Sequence, residues 1–509
     1  MNLHTPRVVA TALCLALGVA ATSTFAQEQR QTSPPTDAFG VNAGAQFPEP
    51  APSNLSTEPI GDDPRARLLR WNEIAMEATA LDHTPPPAGD PRVFREQFGP
   101  GREAKALAIV HIAMFDAVNA ATGHHFRSYS GVPAVQQPTG LNVAIAQAAH
   151  DTLVKLWPAQ TATFDALLAA DLDEFPDGDL KSRGIALGKR AAAAILARRV
   201  DDGSAQADPL MDVEYIPGTG PGEWRQDPVS LIPIALGAKW GQVKPFVLRS
   251  PGQFRIPPPP ALTSARYTRA FNEVKRLGGD GLITPTERTA AQTIAGIYWG
   301  YDGTPNLSAP PRLYNQIAVH IADQLGTGRV NVVNLARLLA LVHTSMADAG
   351  IACWESKFVY KFWRPVGAIR EADTDGNPNT TVDPSFTPLG APASNVVPGV
   401  NFTPPFPAYA SGHATFGSAL FQTLRRFYGT DHIRFTFVSD EFNGVTTDNQ
   451  GNVRPRIPRT FASLSAAEEE NGQSRIYLGI HWEFDKAEGM LQGRRIADFV
   501  MSHAFERIR

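Results

Sequence analysis

The sequence predicts an all-α protein: two helical bundles joined by long irregular segments. Three observations carry that prediction. Apolar residues recur at three- and four-residue spacing through most of the chain beyond residue 62. Strand signals are scarce, and only 434–438 with 442–446 reads as a small hairpin. Finally, Leu107-Ala-Ile-Val-His111-Ile-Ala-Met114-Phe-Asp116-Ala117 is echoed position for position by Leu339-Ala-Leu-Val-His343-Thr-Ser-Met346-Ala-Asp348-Ala349. Two core helices of shared composition explain the echo, and so does a duplicated bundle, with one copy near 63–200 and one near 284–509. His111, His343, Asp116 and Asp348 are expected to serve helix packing and inter-helix hydrogen bonding.

Taken in order, residues 1–26 have the form of a signal peptide. Arg7 is the one charge of a short n-region, Val8 to Ala21 is apolar, and Thr24 and Ala26 suit cleavage before Gln27. Residues 27–62 are polar and rich in Pro, Gly and Ser, and read as a flexible leader. Helical periodicity then fills 65–80, 103–121, 140–156, 160–174 and 179–199. The stretch 203–260 is dense in Pro and Gly, yet Trp224, Trp240, Phe246 and Phe254 make it too aromatic for a free linker. It is expected to be an irregular strap packed across helices, closing an N-terminal bundle over 63–260. Helices return at 264–277, 285–299, 311–325 and 330–363, and again at 412–428, 465–478 and 482–506, after an irregular 371–410. These form a C-terminal bundle over 261–509.

Composition narrows the function. The 509 residues carry 46 Lys+Arg against 50 Asp+Glu, so no global basic field exists for nucleic acid or an anionic membrane surface. Any bound anion must be held by a local cluster of cations. Two cysteines give no disulfide framework. No segment after the first offers some 18 uninterrupted apolar residues, so no membrane span is expected, and the mature chain is expected to be periplasmic or secreted. Oligomeric state is not encoded in these features.

Three segments in the second half combine into a candidate oxyanion site. In Lys357-Phe-Val-Tyr-Lys361-Phe-Trp-Arg364-Pro365, two helical turns separate Lys357 from Arg364, which predicts both on one face with Lys361 beside them and Pro365 ending the helix. In Ser411-Gly412-His413, Ser411 stands where an N-cap belongs. Gly412 lets the backbone approach a ligand, and His413 lies in the first turn at the positive end of the helix dipole. In Ser474-Arg475-Ile-Tyr-Leu-Gly479-Ile-His481-Trp-Glu-Phe-Asp485, the preceding helix starts with a capping box, Ser465 to Glu468, and Gly479 breaks it. Asp485, four residues after His481, can hold one ring nitrogen and leave the other as nucleophile or metal ligand. Singly, each segment reads as a basic stripe, a plain cap or a structural His–Asp pair. Together they supply cations and amides for the oxygens of a tetrahedral or trigonal-bipyramidal oxyanion, and two imidazoles for its centre and its proton.

The set K-x6-R-P, S-G-H and S-R-x5-H-x3-D resembles the phosphatidic acid phosphatase type 2 / vanadium-dependent haloperoxidase superfamily, and more narrowly its chloroperoxidase members. The likeness extends to Tyr298-Trp-Gly-Tyr-Asp302-Gly, Pro310-Pro-Arg-Leu-Tyr-Asn-Gln, Trp354 and the strap. The resemblance implies vanadate as cofactor, with His481 as its vanadium ligand and Lys357, Arg364, Ser411, Gly412 and Arg475 on its oxygens. It further implies His413 as acid/base, Asp302 as a partner of this network, and Trp354 and Phe406 as halide-pocket aromatics. Phenylalanine at 406 looks like the chloroperoxidase version. Ala410 departs from the family, which has Pro before Ser-Gly-His. Hydrogen peroxide and halide would be the substrates, with a small organic acceptor as an option. The same residues also suit an acid phosphatase in which His481 attacks phosphorus and forms a phosphohistidine, with phosphate in place of vanadate. A non-catalytic oxyanion binder is the third reading.

Overall fold

The computed structural model describes residues 55–508, apart from 56, 88, 89, 91, 327 and 329. The expected signal peptide and most of the leader lie outside the described residues. The first half contains α1 (Pro64–Asp82), α2 (Pro100–Ala121), α3 (Leu141–Leu156), α4 (Thr161–Asp173) and α5 (Asp179–Arg198). The second contains α6 (Ala265–Leu277), α7 (Ala290–Tyr298), α8 (Pro310–Leu325), α9 (Val332–Tyr360), the short α10 (Pro365–Arg370), α11 (Gly412–Tyr428), α12 (Leu464–Tyr477) and α13 (Glu483–His503). Helix starts follow capping chemistry: the Asp63 carboxylate accepts from Arg65 N with Pro64 following, and Thr289 with Gln292 forms a reciprocal box.

The two halves pack helices in a similar way. Helix α3 lies against α2 and α5 as α11 lies against α9 and α13. Close approach needs glycine in both halves: Gly184 and Gly188 of α5 face α3, and Gly489 and Gly493 of α13 face α11. A methyl group at Gly493 would overlap the carbonyl of Thr415. Gly493→Ala is therefore expected to destabilise the protein by about 1–3 kcal/mol, whereas Gly367→Ala, into open space, should stay within roughly 0.5 kcal/mol. Denaturant unfolding of the two variants checks this.

The two halves meet where α2 packs on α9. There the rings of His111 and His343 stack at 4.1 Å. His111 Nε2 faces Asn72 Oδ1 at 2.9 Å, and the Asn315 amide donates to His343 Nε2 at 2.8 Å and to Asn72 Oδ1 at 2.6 Å. Burial lowers both histidines, His111 to about 4, so they sit as neutral packing residues. Asp116 accepts from the amides of Tyr129 and Ser130, and Asp348 from those of Phe246, Val247 and Leu248. Asp348 thereby fastens the strap onto α9. Helices α2 and α9 are long and apolar enough to cross a membrane by length and composition, but 89% and 94% of their most apolar stretches are buried inside the protein.

Four local expectations are corrected. The strand Phe435–Val438 (β1) pairs antiparallel with Pro458–Phe461 (β2), not with 442–446, because Ser439 caps a short turn of 3₁₀ helix at Asp440–Phe442. Helix α9 ends at Tyr360, and Lys361 caps it in the left-handed conformation with its side chain exposed. Arg364 is consequently off that helix, and Pro365 begins α10 instead of ending α9. Finally, Ser463 caps α12, accepting from Ala466 N; Ser465 instead binds Asp431, and Glu468 pairs with Arg425 and Arg494.

Candidate active site

The three segments converge. Lys357, from the last turn of α9, is fully buried, and its ammonium donates to the carbonyls of Pro407 (2.7 Å) and Ala408 (3.1 Å). It thereby fixes the loop that leads into Ser411. Arg364 reaches the same place from its extended segment: Nε donates to Phe406 O at 2.9 Å, and Nη1 to Ile480 O at 2.8 Å and to His481 Nε2 at 2.9 Å. Gly479, at φ +74°, turns the chain out of α12 and into the His481 segment. His481 precedes α13 instead of lying on it. Its Nδ1–H donates to Asp485 Oδ2 at 2.7 Å, which fixes the tautomer and leaves the Nε2 lone pair toward Arg364.

Arg475, at the end of α12, gives Nη2 to Asp302 Oδ1 at 2.6 Å, while its Nε and Nη1 are buried with no hydrogen-bond partner among the described residues. Ser411 caps α11, and Gly412 is that helix's first residue. His413 Nε2–H donates to Gly300 O at 2.7 Å, leaving the lone pair on Nδ1. Asp302, Trp354, Phe406, Gly412, His413, Arg475 and His481 all line one narrow cleft. Lys357 and Arg364 stand behind the Phe406 ring, at 4.8 and 4.9 Å from its centroid, and the Trp354 ring lies 4.9 Å from it.

Electrostatics favour an anion. Three cations face two carboxylates, and burial raises both acids, Asp485 to about 7. Burial, reinforced by the neighbouring guanidiniums, holds His413 and His481 well below the usual imidazole range, so both rings are neutral. Burial also lowers Arg364 to about 9 and Lys357 to about 7. The donor set fits vanadate or phosphate: two guanidinium nitrogens on Arg475, the helix start at Ser411–Gly412, and the His481 lone pair, which the Arg364 guanidinium meets in this structure. An oxyanion stabilises the charged lysine, so affinity is expected to be flat below pH about 7 and to fall above it, where the free lysine is neutral. Equilibrium dialysis against orthovanadate across neutrality checks this, and Lys357→Arg, charged throughout, should remove the part of the fall that belongs to the lysine.

Sequence reasoning missed the walls contributed by the first half and the strap: Gly99, Pro100 and Leu236 line the cleft. Gly99-Pro100 marks only a helix start in sequence, and nothing local tells that it faces a site. The partnership of His413 with the Gly300 carbonyl was equally invisible, since a carbonyl carries no side-chain signature.

A buried oxyanion cleft with a guanidinium and two imidazoles in its wall, set in a helical scaffold, is the class of site the fold defines. Residues 337–509 match the family model of the VCPO second helical-bundle domain. The chain is 32% identical over 500 residues to vanadium chloroperoxidase of Curvularia inaequalis, covering 82% of this chain and 79% of that one. The fold is similar to that of a bacterial vanadium-dependent iodoperoxidase, with TM-score 0.68 and 23% identity over 89% of this chain and all of the other. It is also similar to that of a bacterial vanadium-dependent chloroperoxidase in its holo form, with TM-score 0.59 and 19% identity over 79% and 91%. This chain belongs to the vanadium chloroperoxidase family, within the vanadium-dependent haloperoxidases.

Proposed function

We propose that the protein is a vanadate-dependent haloperoxidase that oxidises halide with hydrogen peroxide to a hypohalous acid equivalent. The observation that carries this reading is that Arg475 and two neutral histidines line one cleft, with Lys357 and Arg364 buried behind its Phe406 wall and Asp485 turning the His481 lone pair toward Arg364. Bound vanadate supplies the chemistry that takes up peroxide and makes its oxygen electrophilic toward halide. The chain supplies position and charge. His481 Nε2 is the vanadium ligand; Lys357, Arg364, Arg475, the Ser411 hydroxyl and the Gly412 amide hold the oxygens. His413 Nδ1, free to accept a proton, would serve as the acid/base beside the held group, and Asp302 keeps Arg475 aimed. Trp354 and Phe406 exclude water beside the halide.

Reconstitution with orthovanadate, followed by parallel assays of peroxide-dependent bromination and of phosphomonoester hydrolysis, tests the reading. Halogenation that requires vanadate is expected. Hydrolysis inhibited by vanadate, without halogenation, would favour the phosphohistidine chemistry instead. We also propose that Phe406, its ring against both Lys357 and Arg364, tunes the site toward chloride. Phe406→His is expected to shift the chloride-to-bromide rate ratio toward bromide by about tenfold; an unchanged ratio would remove Phe406 from halide selection. The N-terminal apolar stretch supports export to the periplasm or medium, which N-terminal sequencing of the mature protein checks.

A further inference from the structure

Gly300 and Asp302 sit on one short turn and serve two different members of the site. Gly300 O accepts from His413 Nε2–H at 2.7 Å, and Asp302 Oδ1 accepts from Arg475 Nη2 at 2.6 Å. Between them Tyr301 is buried at φ +52°, a left-handed conformation that a bulky residue keeps only where its surroundings enforce it.

The enforcement comes from 140 residues downstream. Directly after β1, Ser439 Oγ donates to Tyr298 O at 2.6 Å, and Asp440 N–H donates to the phenol oxygen of Tyr301 at 2.8 Å. Glu441 Oε1 then accepts from Tyr301 N–H at 3.2 Å and lies so close to Gly300 that a Cβ added there would overlap it. This clamp is itself braced. Glu441 is fully buried, and its Oε2 accepts from Arg454 and, at 2.6 Å, from Ser394 Oγ. Asp440 pairs with Arg312 of α8 and accepts from Gln316 Nε2 at 2.9 Å, while Gln316 Oε1 accepts from the Tyr301 phenol at 3.0 Å.

A buried ion pair adds little net stability, so packing alone does not call for Glu441 with Arg454. What the carboxylate supplies, and an apolar side chain would not, is an acceptor on one particular peptide. Tyr301 N–H and Gly300 C=O belong to the same planar unit and point to opposite sides of it. Glu441 holds the N–H side, and His413 uses the carbonyl side. An anion on the N–H fixes the plane of that peptide and polarises its carbonyl as an acceptor. Resting on the roles proposed above for His413 and Arg475, we infer that Glu441 is a positioning residue. Through the Gly300–Tyr301 peptide it fixes His413 as the Nε2–H tautomer, and through the Tyr301 turn it keeps Asp302 on Arg475.

The test uses the full chain in two readouts. The first is nitrogen NMR of vanadate-free protein labelled with ¹⁵N-histidine, in which His413 is identified by its absence from His413→Gln. The wild-type ring is expected to show one protonated and one unprotonated nitrogen. Glu441→Gln keeps the size of the side chain but turns an amide donor toward either Tyr301 N–H or Arg454. Its two His413 resonances are expected to move toward each other as the second tautomer is populated. The second readout is equilibrium dialysis, in which vanadate affinity is expected to fall about tenfold as Arg475 loses its aim. Both are measured well below the unfolding temperature of the variant, where a merely structural role would leave them at wild-type values. If Glu441→Gln does not fold, Tyr301→Phe, which removes the bond from Asp440 N–H, is judged by the same readouts. Unchanged resonances overturn the hold on His413, and unchanged affinity overturns the hold on Arg475. Shifted resonances with unchanged turnover per bound vanadate would take His413 out of proton transfer and leave the clamp standing. Absence of halide oxidation from the wild type overturns the functional reading alone, because neither readout requires turnover.

Discussion

His481→Ala is expected to abolish vanadate retention. The imidazole is neutral and its lone pair faces a cation, because Asp485 accepts from its other nitrogen at 2.7 Å and Arg364 approaches Nε2 at 2.9 Å. Outer partners of a metal-binding histidine typically contribute about 10–100-fold to affinity, so the ligand itself should be worth more than about 100-fold. Asp485→Asn, which weakens the hold on Nδ1, is expected to fall in the lower range. Ultrafiltration of vanadate-loaded protein reads both. Retention in the alanine variant equal to wild type would remove His481 from the vanadium.

His413→Ala is expected to do the opposite: vanadate stays, and turnover falls by about 10²–10⁴-fold, the usual contribution of a positioned acid/base. His413 is held by the Gly300 carbonyl and made neutral by burial and by Arg475. Its lone pair can take a proton at neutral pH without first losing one. Because it stands in the first turn of α11, its removal leaves Ser411 and Gly412 in place. Single-turnover halide oxidation with measured vanadate occupancy distinguishes the two histidines. Lost occupancy in His413→Ala with retained occupancy in His481→Ala would exchange their roles.

The helical class and the three chemical segments were legible because each depends on local pattern. Periodicity gives helices, a Ser before Gly-His gives a cap, and His481 four residues before Asp485 gives an oriented ring. What the sequence misassigned depends on a competition between neighbours. Helical period alone carried α9 through to Arg364, but Lys361 takes the left-handed conformation and the strap pairs with the segment that follows, Trp224 N donating to Lys361 O at 2.7 Å. Likewise Ser465 has the spacing of a cap, yet the earlier Ser463 takes the role once Asp431 captures the Ser465 hydroxyl. The pocket walls from Gly99, Pro100 and Leu236 lie far from the motifs in sequence, and only the folded chain brings them together.

The seam of stacked histidines has a bearing on how the molecule is made. When the first half leaves the ribosome, one flank of α2 is an uncovered apolar surface, since α9 is encoded far downstream. That flank must wait, shielded or loosely collapsed, until the second half arrives. Severing the chain at the strap would leave each piece with a sticky face meant for the other.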